Sequence, residues 1–208
     1  LRVGFLPSLG DGLTPKLLSR LPEKWQEVRL EIFTHHYDTL MEKLHRFELD
    51  VCVAYQVVTW PSVSATALGT MKHVYIEPES WPRRDLDQPI RLQDLDMNRF
   101  IGFDQESPIG KVIHQTFNVE KTSYSPLVSV HTYSVAAACV RQGIGCAIVD
   151  EYSANLTKGL NIYPLANSMP LTIVSLRPDK RPMSNAEASF TKILKRTCAA
   201  MASAPPAS

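Results

Sequence analysis

Residues 131–152 read HTYSVAAACVRQGIGCAIVDEY, and they spell a strand end, a helix and a second strand. Val128 and Val130 lead into the polar Thr132-Tyr133-Ser134. Val135, Ala138, Cys139 and Gln142 then recur at helical spacing up to Gly143, a residue suited to a left-handed helix stop. The apolar run Gly145 to Val149 follows at once as a buried strand. Strand, helix and strand in immediate succession belong to an open α/β sheet. In such sheets ligands lie at the carboxyl ends of the strands, where helix N-termini present free N–H groups and the positive end of the helix dipole to an anion. Thr132, Tyr133 and Ser134 are expected there.

The opening of the chain repeats the alternation. Leu1, Val3 and Phe5 form a strand broken by Pro7-Ser8-Leu9-Gly10-Asp11-Gly12. A helix then runs to about Arg20 with Leu13, Leu17, Leu18 and Leu21 on one side and Pro15 in its first turn. Val28, Leu30 and Ile32 alternate with Arg29, Glu31 and Phe33 as a second strand. Asp38 is placed to cap a helix carrying Leu40, Met41, Leu44 and Phe47, and Val51 to Tyr55 is a short apolar third strand. Two βαβ units of this length imply parallel pairing and a doubly wound α/β sheet. Prolines 61, 78, 82 and 89 punctuate the next stretch, in which Ala65–Leu68 and Val74–Ile76 read as strand fragments and a second lobe opens near His73. Phe100 to Phe103 is a strand, and Ser107-Pro108 opens a helix with Ile109, Val112, Ile113 and Phe117 on one face. Leu171 to Leu176 is a strand, and a helix closes the chain from about Asn185 to Ala200. The tail Ala202 to Ser208 has the composition of a disordered segment.

Twenty-two Lys and Arg stand against 21 Asp and Glu, with no long basic block, so the footprint of a nucleic-acid surface is absent. No apolar run approaches the roughly 20 residues of a membrane helix. Leu1 is not an initiator Met, and the numbered sequence reads as a fragment or a processed product. Cys52, Cys139, Cys146 and Cys198 form no C-x-x-C pair, and three of them sit in apolar segments. Buried thiols in a reducing compartment are therefore expected, rather than a switch through Cys139 and Cys146.

Catalytic and metal readings find little. His35-His36, Asp38 and His45 lack the four close ligands of a structural zinc site, and His73, His114 and His131 are scattered, although His35 and His36 follow a strand and can line a pocket. No G-x-S-x-G is present, and Ser8, Ser107 and Ser134 are as well explained as helix caps. Gly10-Asp11-Gly12 is too short and too acidic for a dinucleotide loop. Asp50 and Asp150, both at strand boundaries, suit turns and caps better than a carboxylate pair, and Trp60 and Trp81, beside prolines, read as packing plugs.

Taken together, LRVGFLPSLGDGLTPKLLSRLPEKWQEVRLEI, DTLMEKLHRFELDVCVAY, SPIGKVIHQTF and VSVHTYSVAAACVRQGIGCAIVDEYSA resemble the effector-binding domain of LysR-type transcriptional regulators, over about residues 1–195. The resemblance implies a type 2 periplasmic-binding-protein fold: an α/β chain of two Rossmann-like lobes joined by two crossover strands. Lobe I would comprise residues 1–72 with 169–208, and lobe II residues 73–168. It implies a sensor whose DNA-binding winged helix-turn-helix lies outside this chain. DNA would be reached only through that domain, with no catalysis, no cofactor and no membrane, in the cytoplasm.

Carried onto this chain, the family's effector pocket involves Pro7, Ser8 and Leu9 after the first strand, His36 and Tyr37 after the second, and Tyr55 and Gln56 after the third. From lobe II it takes Asp104, Gln105, Ser107 and Pro108 with Thr132, Tyr133 and Ser134. Ser8 and Ser134 would serve a carboxylate, and Asp104 or Gln105 an ammonium or amide group. The absence of Arg from these loops disfavours a dicarboxylate. VDEYSA resembles the matching segment of the amino-acid- and opine-responsive branch, so an amino acid or opine-like carboxylate is favoured, with aromatic acids next. Copies are expected to pair side by side, lobe I of one against lobe II of the next, as a dimer or tetramer. Ser8 and Thr132 read as exposed loop positions whose replacement by alanine weakens effector binding and spares the fold. A solute-binding protein of the same fold and a small α/β enzyme are the alternatives. Export would expose the four cysteines to oxidation, and no reactive constellation assembles.

Overall fold

Arg2–Phe5 (β1) alternates too little to be a surface strand: Val3 and Phe5 are fully buried, and Gly4 lies so close under Leu40 and Leu49 that a Cβ there would meet Leu40 Cδ2 at 2.5 Å. β1 feeds the helix Pro7–Leu18 (α1), then the strand Glu31–Thr34 (β2), the helix Tyr37–His45 (α2) and the strand Val51–Tyr55 (β3). Both β2 and β3 pair parallel with β1, Phe5 lying opposite Thr34 on one side and Val53 on the other. These are the two βαβ units that the apolar spacing predicts. A nine-residue strand, Val63–Met71 (β4), completes this part of the chain. The computed structural model describes residues 1–56, 61–85, 88–168 and 170–202. Trp60 and the tail beyond Ala202 lie outside the described residues.

The chain then builds a second sheet from His73–Pro78 (β5), Phe100–Phe103 (β6), Val128–Val130 (β7), Cys146–Asp150 (β8) and Leu160–Pro164 (β9), in the order β7-β6-β8-β5-β9. β6 is parallel to β7 and β8, whereas β5 is antiparallel to β8 and β9. The helices of this sheet are Pro108–Val119 (α3), Tyr133–Arg141 (α4) and Glu151–Leu156 (α5). The strand Leu171–Pro178 (β10) returns to the first sheet and enters antiparallel between β3 and β4, and the helix Asn185–Ala202 (α6) packs on β4. The two compact units are thus Leu1–Met71 with Leu171–Ser208, and Lys72–Pro170.

Several local expectations change. Pro7-Ser8-Leu9-Gly10-Asp11-Gly12 is not a break but the first half of α1, and Pro15 sits deep in that helix rather than in its first turn. Proline costs nothing at the first helical position, where no N–H partner is needed, and Leu9, Leu13 and Leu17 at four-residue spacing are fully buried. Gly10 serves close packing rather than a turn, since a Cβ there would lie 3.1 Å from Thr34 Oγ1. Val28 to Leu30 fall outside β2: a 3₁₀ turn over Glu23–Glu27 occupies the chain just before, and its Trp25 packs on Phe190 at 5.8 Å. Asp38 lies in the first turn of α2 rather than capping it, and Phe47 has left the helix, with φ +58 and half its surface exposed. In α4 the stripe Val135, Ala138, Cys139 faces outward, and Tyr133, Ala136, Ala137 and Val140 are the buried face. The strand β9 and the helix α5 were not anticipated.

Asp50 does not make a turn. It receives the Arg2 N–H at 2.7 Å, the Arg2 guanidinium at 2.9 Å and the Arg181 guanidinium at 2.8 Å, and Arg181 goes on to Glu187 in the first turn of α6. Glu187 also closes a capping box: the Ser184 hydroxyl accepts from Glu187 N, and Ser184 N donates to the Glu187 carboxylate. Burial pushes the Asp50 carboxyl up, but the hydrogen bonds from Arg2 and Arg181 outweigh burial and hold it well below the usual carboxylate range. Asp50→Ala leaves the Arg2 guanidinium without its carboxylate and Arg181 with Glu187 alone among the described residues, and is expected to cost about 2 kcal/mol, read from the urea midpoint.

Candidate functional site

In the first unit the parallel strands β1 and β2 end at Phe5 and Thr34, and each passes directly into a helix. Neither helix has a side-chain cap: Leu6 precedes α1 and His36 precedes α2, and neither lends a side-chain acceptor. Gly10 N donates to Leu6 O at 2.7 Å, so the α1 turn closes there, and the amides of Ser8 and Leu9 are left at the head of the helix. Pro7 is half-buried, His36 and Gln56 are exposed, and Tyr37 and Tyr55 are buried with their rings in the fold.

Ser8 departs from its expected setting. It is 5% exposed, its hydroxyl lies 3.0 Å from the Tyr55 hydroxyl, and Tyr55 donates to Met71 Sδ at 3.3 Å. It is a buried helix residue, not an exposed loop position, and what it can offer an anion is its backbone N–H. The Leu9 side chain is likewise fully buried, so only its amide is at issue.

The second unit handles its strand ends differently. Each helix there is capped by a side chain: Ser107 accepts from Gly110 N at 3.0 Å, Thr132 from Val135 N at 3.3 Å and Asp150 from Ser153 N at 2.7 Å. Ser107 and Asp150 read as caps from their types and are caps, whereas the cap of α4 is Thr132 rather than Ser134, and Ser8 lies inside α1 with no capping role. Ser107 also donates to Asp104 O at 2.7 Å, which folds the Asp104–Ser107 turn over the head of α3. Gly110 is what admits it, because a Cβ there would meet Asp104 O at 1.8 Å. Asp104 Oδ1 accepts from Glu106 N at 3.1 Å, Gln105 is exposed, and Pro108 opens α3. Ser134 is exposed, 3.3 Å from the Thr132 hydroxyl.

Tyr133 does not sit with them as a surface residue. It is 1% exposed, edge-on to Phe103, and hydrogen-bonded to His73 Nε2 at 2.7 Å. Burial holds the Tyr133 phenol well above its ordinary value, with the Asp150 charge adding to the effect, and burial lowers the His73 imidazole to about 4. Both are therefore neutral near pH 7. His73 was one of the scattered histidines; its only sequence signal is that a polar residue opens the apolar run Val74 to Ile76.

Burial also raises the thiols, Cys52 to about 12 and Cys198 to about 11, with Cys146 above its ordinary value. A thiolate nucleophile is thus disfavoured at these three positions. Among the described residues no three His, Cys, Asp or Glu side chains gather to hold a metal ion, and no helix is long and apolar enough to cross a membrane.

The LysR substrate binding domain model matches residues 1–199. Among curated relatives, the chain is 23% identical to the HTH-type transcriptional regulator DgcR of Pseudoalteromonas sp, over 88% of this chain and 64% of that protein. It is 25% identical to AdmX of Serratia plymuthica, over 92% and 60%, and 22% identical to the transcriptional activator LysR of Escherichia coli K12, over 92% and 62%. The chain thus spans about three fifths of the length of these relatives. Among solved structures, the effector-binding domain of a BenM variant superposes with a TM-score of 0.84 at 17% identity, covering 100% of this chain and 98% of that one. The effector-binding domain of QuiR in complex with shikimate gives 0.80 at 17% identity, covering 96% and 97%.

Proposed function

The chain belongs to the LysR substrate-binding domain family, and from that membership we propose that it is the sensor of a transcriptional regulator, taking a small carboxylate at the head of α1. The family's members are regulators rather than enzymes, which leaves the enzyme reading without support. One observation carries the ligand class: in the first unit, helices α1 and α2 start off parallel strands with no side-chain cap, whereas α3, α4 and α5 each have one. Uncapped amides and the positive end of a helix dipole favour a carboxylate. Pro7, Ser8 and Leu9 supply this head, His36, Tyr37, Tyr55 and Gln56 border the neighbouring strand ends, Asp104 and Gln105 offer groups suited to an ammonium or amide, and Ser134 offers a hydroxyl that can donate to a carboxylate.

An amino acid or opine-like effector fits this set best, with aromatic acids next. The full-length regulator would reach DNA through a domain outside this chain and act in the cytoplasm, where free thiols stay reduced. Copies would pair side by side as a dimer or tetramer. The exposed Leu127 and Val128 at the β7 edge of the second unit, and Leu18 and Phe47 on the first, suit such contacts.

Ser134→Ala tests the site most cleanly, because Ser134 is exposed and its hydroxyl meets only that of Thr132 among the described residues. A carboxylate found by thermal shift should bind this variant about tenfold more weakly in calorimetry, with an unchanged melting temperature. Unchanged affinity for every hit removes Ser134 from the site. Ser8→Ala and Thr132→Ala are less clean than their sequence setting suggests. The first deprives the buried Tyr55 hydroxyl of a neighbour and the second uncaps α4, so each is expected to cost about 1 kcal/mol of stability as well.

A further inference from the structure

The two chain crossings between the units fall at Met71–Lys72 and Pro170–Leu171. On the second unit's side, the residues next to them are held by an unusual density of bonds. Lys72 donates its N–H to Glu151 Oε1 and accepts from Glu151 N, both at 3.2 Å, so that the first residue of α5 grips its peptide from both sides. His73 donates its N–H to Ser168 Oγ at 3.2 Å, and its carbonyl accepts from the same hydroxyl at 3.1 Å. Ser168 lies just before the second crossing, so one hydroxyl ties the two crossing segments together. Through its ring, His73 then reaches the Tyr133 hydroxyl at 2.7 Å, and Tyr133 is the first residue of α4, next to the Thr132 cap and Ser134.

We infer that Tyr133 and His73 are positioning residues that connect the Thr132–Ser134 loop to both chain crossings. The inference rests on the reading of that loop as part of the effector site. Its physical content is short. Tyr133 and His73 are 1% and 4% exposed, have two side-chain torsions each, and are packed edge to face. A displacement of the α4 head therefore moves the imidazole rather than being absorbed by side-chain freedom. The space beside His73, lined by Leu92, Ile113, Thr116, Ile148 and Leu165, is only about 10 Å³, too small to absorb the displacement of the ring. An occupant that prefers one position of the α4 head then prefers one arrangement of the crossings, which is what a sensor requires.

Hydrogen–deuterium exchange on the ligand-free chain tests this without an effector, so its outcome is independent of whether the carboxylate reading stands. Tyr133→Phe is expected to speed exchange at the Lys72 and His73 amides and in the peptide covering residues 168–172 by about tenfold, with β6 and β1 unchanged. Ser168→Ala, which leaves the core alone, should loosen the first turn of α4, residues 133–136, because a mechanical link acts in both directions. Val135→Ala on the outer face of α4 serves as the control and should leave the crossings unaltered. Unchanged exchange at the crossings in Tyr133→Phe, a uniform loosening of the whole second unit, or no response of α4 to Ser168→Ala would each overturn the link, since a ring that merely fills the core has no reason to act in both directions.

Discussion

Arg84→Ala is expected to lower the stability of the second unit by about 3 kcal/mol, because it leaves a buried carboxylate without its cation. Glu77 on β5 is 2% exposed, and its Oε1 collects the Arg84 guanidinium at 2.7 and 2.9 Å and the Tyr75 hydroxyl at 2.8 Å. Arg84 also lies 5.6 Å over the Tyr75 ring, so its side chain holds residue 84 to β5, while its backbone N–H donates to the Tyr163 hydroxyl of β9 at 2.9 Å. Removing it leaves Glu77 with only the Tyr75 hydroxyl among the described residues, in a setting where an unpaired charge costs several kcal/mol. The double variant Glu77→Gln with Arg84→Met should recover most of the loss, because it removes the charge along with its partner. Urea unfolding of the three proteins decides: a loss in Arg84→Ala below about 0.5 kcal/mol would mean that solvent already screens Glu77.

A loss of similar size is expected from acid. The unfolded imidazole of His73 titrates near 6.5 and the folded one, lowered by burial, near 4. Between those values the unfolded chain carries a proton that the folded chain refuses. The stability contributed by the neutral histidine is therefore fully present above pH 6.5 and is lost as pH falls towards 4, by about 3 kcal/mol in all. Thermal unfolding measured across this window should show the slope in the native chain and its near disappearance in His73→Gln. A native chain with flat stability from pH 6.5 to 4 would show that His73 reaches solvent before it titrates.

Much of this architecture was legible because it is written locally. Val51 to Tyr55, fully apolar, is a buried strand with neighbours on both sides, and Ser107-Pro108 and Thr132 sit at helix heads because their hydroxyls and the proline ring suit those positions. Gly143, at φ +82, ends its helix as glycine should. The start of α1 was less legible: two glycines beside a proline and an aspartate look like a turn, and only the depth of Leu9, Leu13 and Leu17 shows that they are helical. The buried face of α4 was hidden because alanine packs against a sheet as readily as it faces water, so period alone does not choose the side.

The candidate site was legible in its positions and less so in its chemistry. Strand ends could be found from pattern, and so could the loops that follow them. Whether a side chain points outward could not. Ser8 and Tyr133 turn inward, for reasons that depend on Tyr55 and His73, partners far away along the chain. The Asp50 cluster is illegible for the same reason, since Arg181 lies 131 residues away.

Calorimetry with matched pairs, an amino acid or opine against its own carboxamide, tests the central claim most directly. Each acid would first be chosen by thermal shift, where a ligand at a hundred times its dissociation constant adds roughly 2.7 kcal/mol to the folded state. The account predicts that at least one acid binds and that its uncharged amide binds at least tenfold more weakly, because the head of α1 recognises the anion. An amide that binds as tightly as its acid, or no binding by any carboxylate, would contradict it.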